Sequence, residues 1–363
     1  MGGPMRSVIR SVSPVDRPGG EPTVPAKAPR VRIRYPAAAL VATVSLGLLA
    51  VGIGWSVAIG PTHLGVGAIV TGVLFGGHTT GAAIIHGIRL PRALLGAVVG
   101  SSSAVAGAIM QAVTANPLGS PEILGVNAGA AVVAVASLTF VPWLAGLSLI
   151  ALAFVGAAAA GLLVLIMSGI GRGRSDPVRI ALAGVTLTTL IFSVAQGMII
   201  LHDPATSALF HWLVGGVNDG TWHDIGTALP WMIVGLGGAM ALAGKLNLLG
   251  LGEDTARGLG AKIGQIRLIG AALVVVLAGS AVAVAGPITF VGLIVPHIVR
   301  RLVGVNHYVV IPLCALVGAT MLVYADIVSR YIDPPAEVPS GVVTALVGAP
   351  YFVYLARRQK ATS

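Results

Sequence analysis

The sequence predicts an all-α polytopic membrane protein with about ten transmembrane helices. Apolar residues make up 56% of the 363-residue chain and charged residues only 9%. A soluble domain carries about a quarter of its residues as charge. The apolar residues gather into ten stretches, each near the ~20 residues that a helix needs to cross ~30 Å of hydrocarbon. Charge is confined to the connectors between them. Helices are expected because an open sheet edge leaves backbone groups unsatisfied in lipid.

Residues 1–35 hold six prolines, seven of the basic residues and no apolar run, the composition of a disordered basic tail. The first span, 36–60, lacks a small-residue cleavage site followed by a soluble domain, so it reads as a span and not a cleaved signal. The second, 90–113, is rich in Gly and Ala, with Gly96 and Gly100 spaced for close helix packing. Asn116-Pro117-Leu118 closes it, since proline removes a donor and breaks a helix. Spans at 122–141, 147–170 and 178–201 follow, and Pro177 stiffens the loop Ser175–Arg179 between the last two. After the span at 226–245 comes the longest polar connector beyond the tail, 246–263. Spans at 264–285 and 287–303 are divided only at Gly286-Pro287. The last two spans are 308–330, which holds Asp326, and 339–356. Residues 359–363 form a short tail.

With the N-terminus inside, 19 of the 22 Lys and Arg fall on inside segments, leaving only Arg89, Arg92 and Arg330 outside. This bias orients the chain with both termini cytoplasmic. It also accounts for the net charge of +10. No basic-aromatic stripe or motif points to nucleic acid.

Shifted by 179 residues, Gly100–Asn127 lies over Gly279–Asn306 with 11 identities in 28 positions. Gly107 falls on Gly286, Pro117 on Pro296, and Gly125-Val126-Asn127 on Gly304-Val305-Asn306. The two copies start five spans apart, so they are expected to run in opposite orientation, as in many transporters.

Several chemistries are missing. Gly244-Lys245 is followed by Leu246 without an upstream glycine, so there is no phosphate-binding P-loop. No zinc-protease or serine-hydrolase motif occurs. His63, His78, His86, His202, His211 and His223 sit in outside connectors at spacings that match no ligand set, and no cofactor or metal is expected. Asp326 within a span and Glu122 at the edge of one are thin material for a proton relay. The lone Cys314 allows no intramolecular disulfide.

Four segments together resemble the iron-chelate and vitamin B12 permease family of ABC importers. The first runs from Arg89-Leu90-Pro91-Arg92 to Asn116-Pro117-Leu118 and Leu124–Ala130. The second is Leu246–Leu249 with Gly252-Glu253, Ala256-Arg257 and Leu259-Gly260. The third is Gly286–Arg301. The fourth is Ala325-Asp326-Ile327 with Arg330, then Glu337-Val338-Pro339 and Gly341–Ala345. The resemblance covers roughly residues 40–358. It implies the type II ABC importer permease fold with a pseudo-twofold inverted repeat, its halves starting near 90 and 264. It implies as partners a second permease subunit, identical or paralogous, separate ABC ATPase subunits, an extracytoplasmic binding protein, and lipid. The subunit would carry no ATPase site of its own and work in the plasma membrane.

The resemblance also assigns roles. Gly252, Glu253, Ala256, Arg257, Leu259 and Gly260 would form a coupling element that docks on the ATPase. Acid at its start and base at its end suit a short helix dipole. Asn116, Pro117, Leu118, Ser175, Asp176 and Pro177 would form the cytoplasmic gate. Arg89, Arg92 and Arg330 would receive acidic residues of the binding protein, since a guanidinium reads a carboxylate bidentately. Snorkelling at the interface is the plainer alternative, and Asp326 is placed to pair with Arg330 at i,i+4. The expected cargo is a ferric siderophore, with haem or cobalamin next. An ion-coupled secondary transporter is the competing class.

The orientation has a direct check. Cysteines introduced at Gly77 and Asp219 should react with an impermeant thiol reagent from outside, and cysteines at Gly173 and Asp254 only after the membrane is opened. The reverse pattern would overturn the orientation.

Overall fold

The structure is a computed structural model, and residues 35–60, 80–140, 149–169, 177–201, 214–332 and 337–360 are described. Each of the ten apolar stretches holds a helix. They are α1 (Tyr35–Ala58), α2 (Thr80–Val113), α3 (Val126–Phe140), α4 (Leu149–Met167), α5 (Pro177–Leu201) and α6 (Trp222–Leu249). The short α7 (Glu253–Gly258) precedes α8 (Ile263–Ala285), α9 (Val291–Val303), α10 (His307–Ile332) and α11 (Ser340–Lys360). The basic tail at 1–34, Ser175 and Asp176 lie outside the described residues.

Among the described residues, seven helices are long and apolar enough to cross a membrane: α1, α2, α4, α5, α6, α8 and α10. Helices α3 and α11 hold shorter apolar segments. Helix α9 differs from its expected span. Residues Gly286–Phe290 are non-helical, so α9 has 13 residues, about 20 Å at the usual rise and short of a full crossing. Phe290 caps its start at φ +68°, a left-handed conformation that is uncommon outside glycine.

Helix α2 also departs from its expected bounds, starting at Thr80 rather than residue 90. Pro91 has no N–H for the preceding turn. The chain accommodates it with a π-helical turn at Ile85–Arg89, and the helix runs on through it. The indole N–H of Trp222 donates to the His86 carbonyl in that turn at 2.7 Å. Trp222 opens α6, which is capped by a reciprocal pair between Thr221 and Asp224.

Helix α2 is the centre of the bundle and packs on α1, α6, α8, α9 and α10. Its most apolar 18-residue stretch is 78% buried, against 11% for that of α1. The exposed faces of α1, α5 and α6 carry Leu40, Val51, Leu182, Leu190, Ile233 and Val234, apolar surface suited to lipid tails. The crossings depend on glycine. Gly100 of α2 and Gly318 of α10 lie backbone to backbone, so that a Cβ on either would meet the other's carbonyl. Gly129 of α3 and Gly156 of α4 do the same, and Gly107 of α2 sits on the Gly292 carbonyl of α9.

The repeat register lays α2 on α8 over their matched glycines but diverges after Gly107 and Gly286. Pro117 lies in a connector, whereas Pro296 lies inside α9. Gly125 and Gly304 both have positive φ just before a helix. One precedes α3 and the other α10, and before them the first copy has only a short 3-10 turn at Pro121–Leu124 where the second has all of α9.

Substitution should separate packed from lipid-facing glycines. Gly107→Ala would force a methyl into the Gly292 backbone and should lower stability by about 1–3 kcal/mol. Gly47→Ala on the exposed face of α1 meets nothing within 4 Å and should be neutral or slightly stabilising. Thermal unfolding in detergent checks both; equal melting temperatures for the two variants would contradict this packing.

Candidate functional site

The polar residues collect at the two ends of the bundle. At one end, the last turn of α1 meets the start of α2 and the last turns of α10. The final carbonyls of a helix have no partner within it. Here arginines supply one. Arg89 Nη1 donates to the carbonyls of Val57 at 2.9 Å and Ala58 at 3.1 Å. Arg330 donates to the Ser56 carbonyl at 2.9 Å and to Ser56 Oγ at 2.8 Å. Cations also suit the negative end of the helix dipole. Gly60 leaves room for this, since a Cβ there would strike the Arg89 guanidinium.

Asp326 holds the cluster together. It is 2% exposed and accepts from Arg92 Nε at 3.0 Å and Nη2 at 2.8 Å, and from Arg330 one turn along its own helix. Arg92 also donates to Glu337, which precedes α11 and is partly open to solvent. A buried carboxylate between two guanidiniums offsets the cost of burying all three charges.

These contacts correct the sequence reading in one respect. Arg89 was expected just before the span at 90–113 and Arg92 at its outer end. Both lie within α2, and Arg92 is 5% exposed. The helix runs through the π turn and past Pro91, and both side chains are buried, Arg89 in the π turn and Arg92 in the α-helix after it. All three arginines use guanidinium N–H groups on acceptors within the chain. The expected contact between Asp326 and Arg330 is present.

At the other end, α2 stops at Val113. The backbone turns through Ala115 at φ +48°, and Asn116 Oδ1 accepts from the Leu118 N–H at 2.9 Å. Asn116, Pro117 and Leu118 thus form a compact turn. Pro177 opens α5.

The coupling residues do come together. Glu253 starts α7 and Gly258 ends it, with Gly252 and Gly260 at positive φ on either side, a backbone that other residues adopt at a cost. Ala256 is buried against the bundle, while Leu251 and Leu259 point outward, Leu259 at 63% exposed. Glu253 pairs with Arg257 at 2.7 Å.

Its other oxygen binds a residue that the sequence reading passed over. Arg267, one turn into α8 and 3% exposed, donates to Glu253 Oε1 at 2.7 Å and to the Val113 carbonyl at 3.1 Å. This side chain joins α7 to the end of α2, just before the Asn116 turn. The only signal in the sequence was a charged residue set inside an apolar span boundary. Nearby, Asn247 Oδ1 accepts from the His307 N–H at 2.8 Å and Asn247 Nδ2 donates to Asn306 Oδ1, tying the end of α6 to the start of α10. Among the described residues no group of His, Cys, Asp or Glu could hold a metal ion.

Residues 48–358 match the FecCD transport family. A Fe(3+)-citrate import system permease protein, YfmD of Bacillus subtilis, is 46% identical over 275 residues, covering 76% of this chain and 81% of the relative. A cobalamin import system permease protein, BtuC of Halobacterium salinarum, is 39% identical and covers 78% of this chain and 76% of its own. Among solved structures, an inward-facing metal-chelate type ABC transporter, described as putative, aligns with a TM-score of 0.74 at 28% identity. It covers 88% of this chain and 99% of that one.

Proposed function

The chain belongs to the FecCD transport family, and on that premise we propose that it is the membrane-spanning permease subunit through which an ATP-driven importer takes up a ferric siderophore or related ferric chelate. Ferric cargo ranks first because several similar relatives carry iron-system names; the cobalamin relative makes cobalamin the second reading. The subunit does no covalent chemistry. Two permease subunits enclose the pathway in the plasma membrane, with both termini cytoplasmic. Separate ATPase subunits dock at the α7 end, and a binding protein delivers cargo at the other.

The observation that carries the ATP-driven reading is the Arg267 bridge. Exposed Leu251 and Leu259 offer the ATPase an apolar contact beside α7. A displacement of α7 pulls on Glu253, through it on Arg267, and through Arg267 on the end of α2 and the Asn116–Leu118 turn. An ion-coupled carrier needs a titratable carboxylate in its pathway. Asp326 is already held by two arginines, which leaves Glu122, lining a small cavity beside α2 and α8, as the carboxylate that alternative would have to use.

The docking role of Arg89, Arg92 and Arg330 takes a narrower form. A partner carboxylate reaches this cluster by replacing Glu337 on Arg92, since Glu337 is the partly exposed member of the set. Asp326 and the α1 carbonyls keep the guanidiniums in place.

Both ends can be tested in proteoliposomes with the ATPase and loaded binding protein. Arg267→Ala should leave stimulated ATP hydrolysis but lower uptake per ATP by about tenfold, the loss of one charge-assisted contact. Arg267→Lys should recover part of it, because one ammonium reaches one acceptor. Unchanged uptake per ATP in Arg267→Ala would remove the coupling role. At the other end, Glu337→Gln should tighten binding-protein affinity at low salt and Arg92→Gln should weaken it. If neither moves it, the arginines serve only to hold α1, α2 and α10 together.

A further inference from the structure

A cleft of about 420 Å³ opens beside α7, between the last turns of α6 and the first turns of α8. Lys245 stands on its α6 side and Lys262 and Gln265 on its α8 side, all three exposed. The carboxylates of the same connector are taken: Glu253 by Arg257 and Arg267, Asp254 by Arg257. Among the described residues neither lysine forms an ion pair, so the mouth of the cleft carries two uncompensated positive charges.

The walls behind those charges are apolar, with Leu248 from α6 and Ile266 and Ile269 from α8. Both helices also expose apolar side chains, Met240 on α6 and Leu268 on α8. One site thus pairs cations at the membrane boundary with a greasy path leading into the bilayer. A soluble phosphate would satisfy the lysines and leave Leu248 and Ile269 uncovered. An acidic protein segment would bring no chain to lie between the helices.

We propose that this cleft is a binding site for one anionic phospholipid of the leaflet at the α7 end. Its phosphate sits between Lys245 and Lys262, Gln265 donates to the headgroup, and an acyl chain follows the groove between α6 and α8. Basic pockets between membrane helices suit anionic headgroups on electrostatic grounds. The lipid also braces the Leu259–Lys262 connector that joins α7 to α8. Leu259 and Gly260 also line the cleft, so the site adjoins the proposed ATPase contact, and the test below uses neither ATPase nor cargo.

The test uses the full-length chain, purified in mild detergent and delipidated, with native mass spectrometry during titration of phosphatidylglycerol or phosphatidylcholine. The wild type should retain one phosphatidylglycerol in preference to phosphatidylcholine. Lys245→Ala with Lys262→Ala should weaken that adduct by roughly tenfold to thirtyfold, from the attraction each cation adds at an anionic surface. Lys245→Arg with Lys262→Arg should keep it, which separates lost charge from a folding defect. Arg301→Ala, an exposed cation on α9, should also keep it. Retention of the adduct in the double alanine variant would overturn the proposal. So would its displacement by soluble glycerol phosphate, which would make this a free-phosphate site. Loss of ATPase association with lipid retained would also overturn it, and would make the cleft part of the protein interface.

Discussion

In a bilayer the hydrophobic effect does not draw one apolar helix to another, because lipid tails are as apolar as leucine. Association then rests on close packing and a few hydrogen bonds. The structure depends on backbone-to-backbone approach along α2, at Gly100 against Gly318 and at Gly107 against Gly292. Glycine disfavours helices in water, yet here it lets helices come close enough for dispersion contacts along their length. Once α2 is seated this way, α1, α6, α8, α9 and α10 take their places around it.

The same helix brings both polar clusters into register. Its start carries Arg89 and Arg92, and its end presents the Val113 carbonyl to Arg267. Each cluster solves the same local problem, the unpaired carbonyls at a helix C-terminus. Arg89 and Arg330 cap α1 and Arg267 caps α2. Arg330 reaches α1 from α10 while held by Asp326 one turn back on its own helix, and Arg267 ties the end of α2 to α7 through Glu253. Capping and inter-helix connection are therefore one interaction, and a strain on α7 has a short hydrogen-bonded route to the end of α2.

Glycine and proline residues mark where this rigidity is interrupted. The π turn before Pro91 holds the buried Arg89, and the buried Arg92 follows it. The break at Gly286–Phe290 separates the long α8 from the short α9, and Phe290 at positive φ packs against Gly348 of α11. Gly252 and Gly260 free the backbone on either side of α7. The short elements α7 and α9 both lie next to such breaks.

The count and order of helices were legible in the amino-acid sequence because lipid imposes a length and a composition on every span, and these are local properties. The short helix α7 was legible too, since Gly252, Glu253, Arg257 and Gly260 fall within a dozen residues with acid at the start, base at the end and glycines outside. Other features required the tertiary structure. Nothing local says that α2 continues to Thr80, because Pro91 normally ends or starts a helix and only the packed bundle holds a π turn there. Nothing local says that Arg92 faces Asp326, 234 positions away, or that Arg267 reaches Glu253 and Val113 together. The sequence by itself determined which segments are apolar enough to enter the membrane, which depends on how each segment partitions between water and lipid. The tertiary structure alone decided which charges meet, because burying a charge is tolerable only where a distant partner arrives to share it.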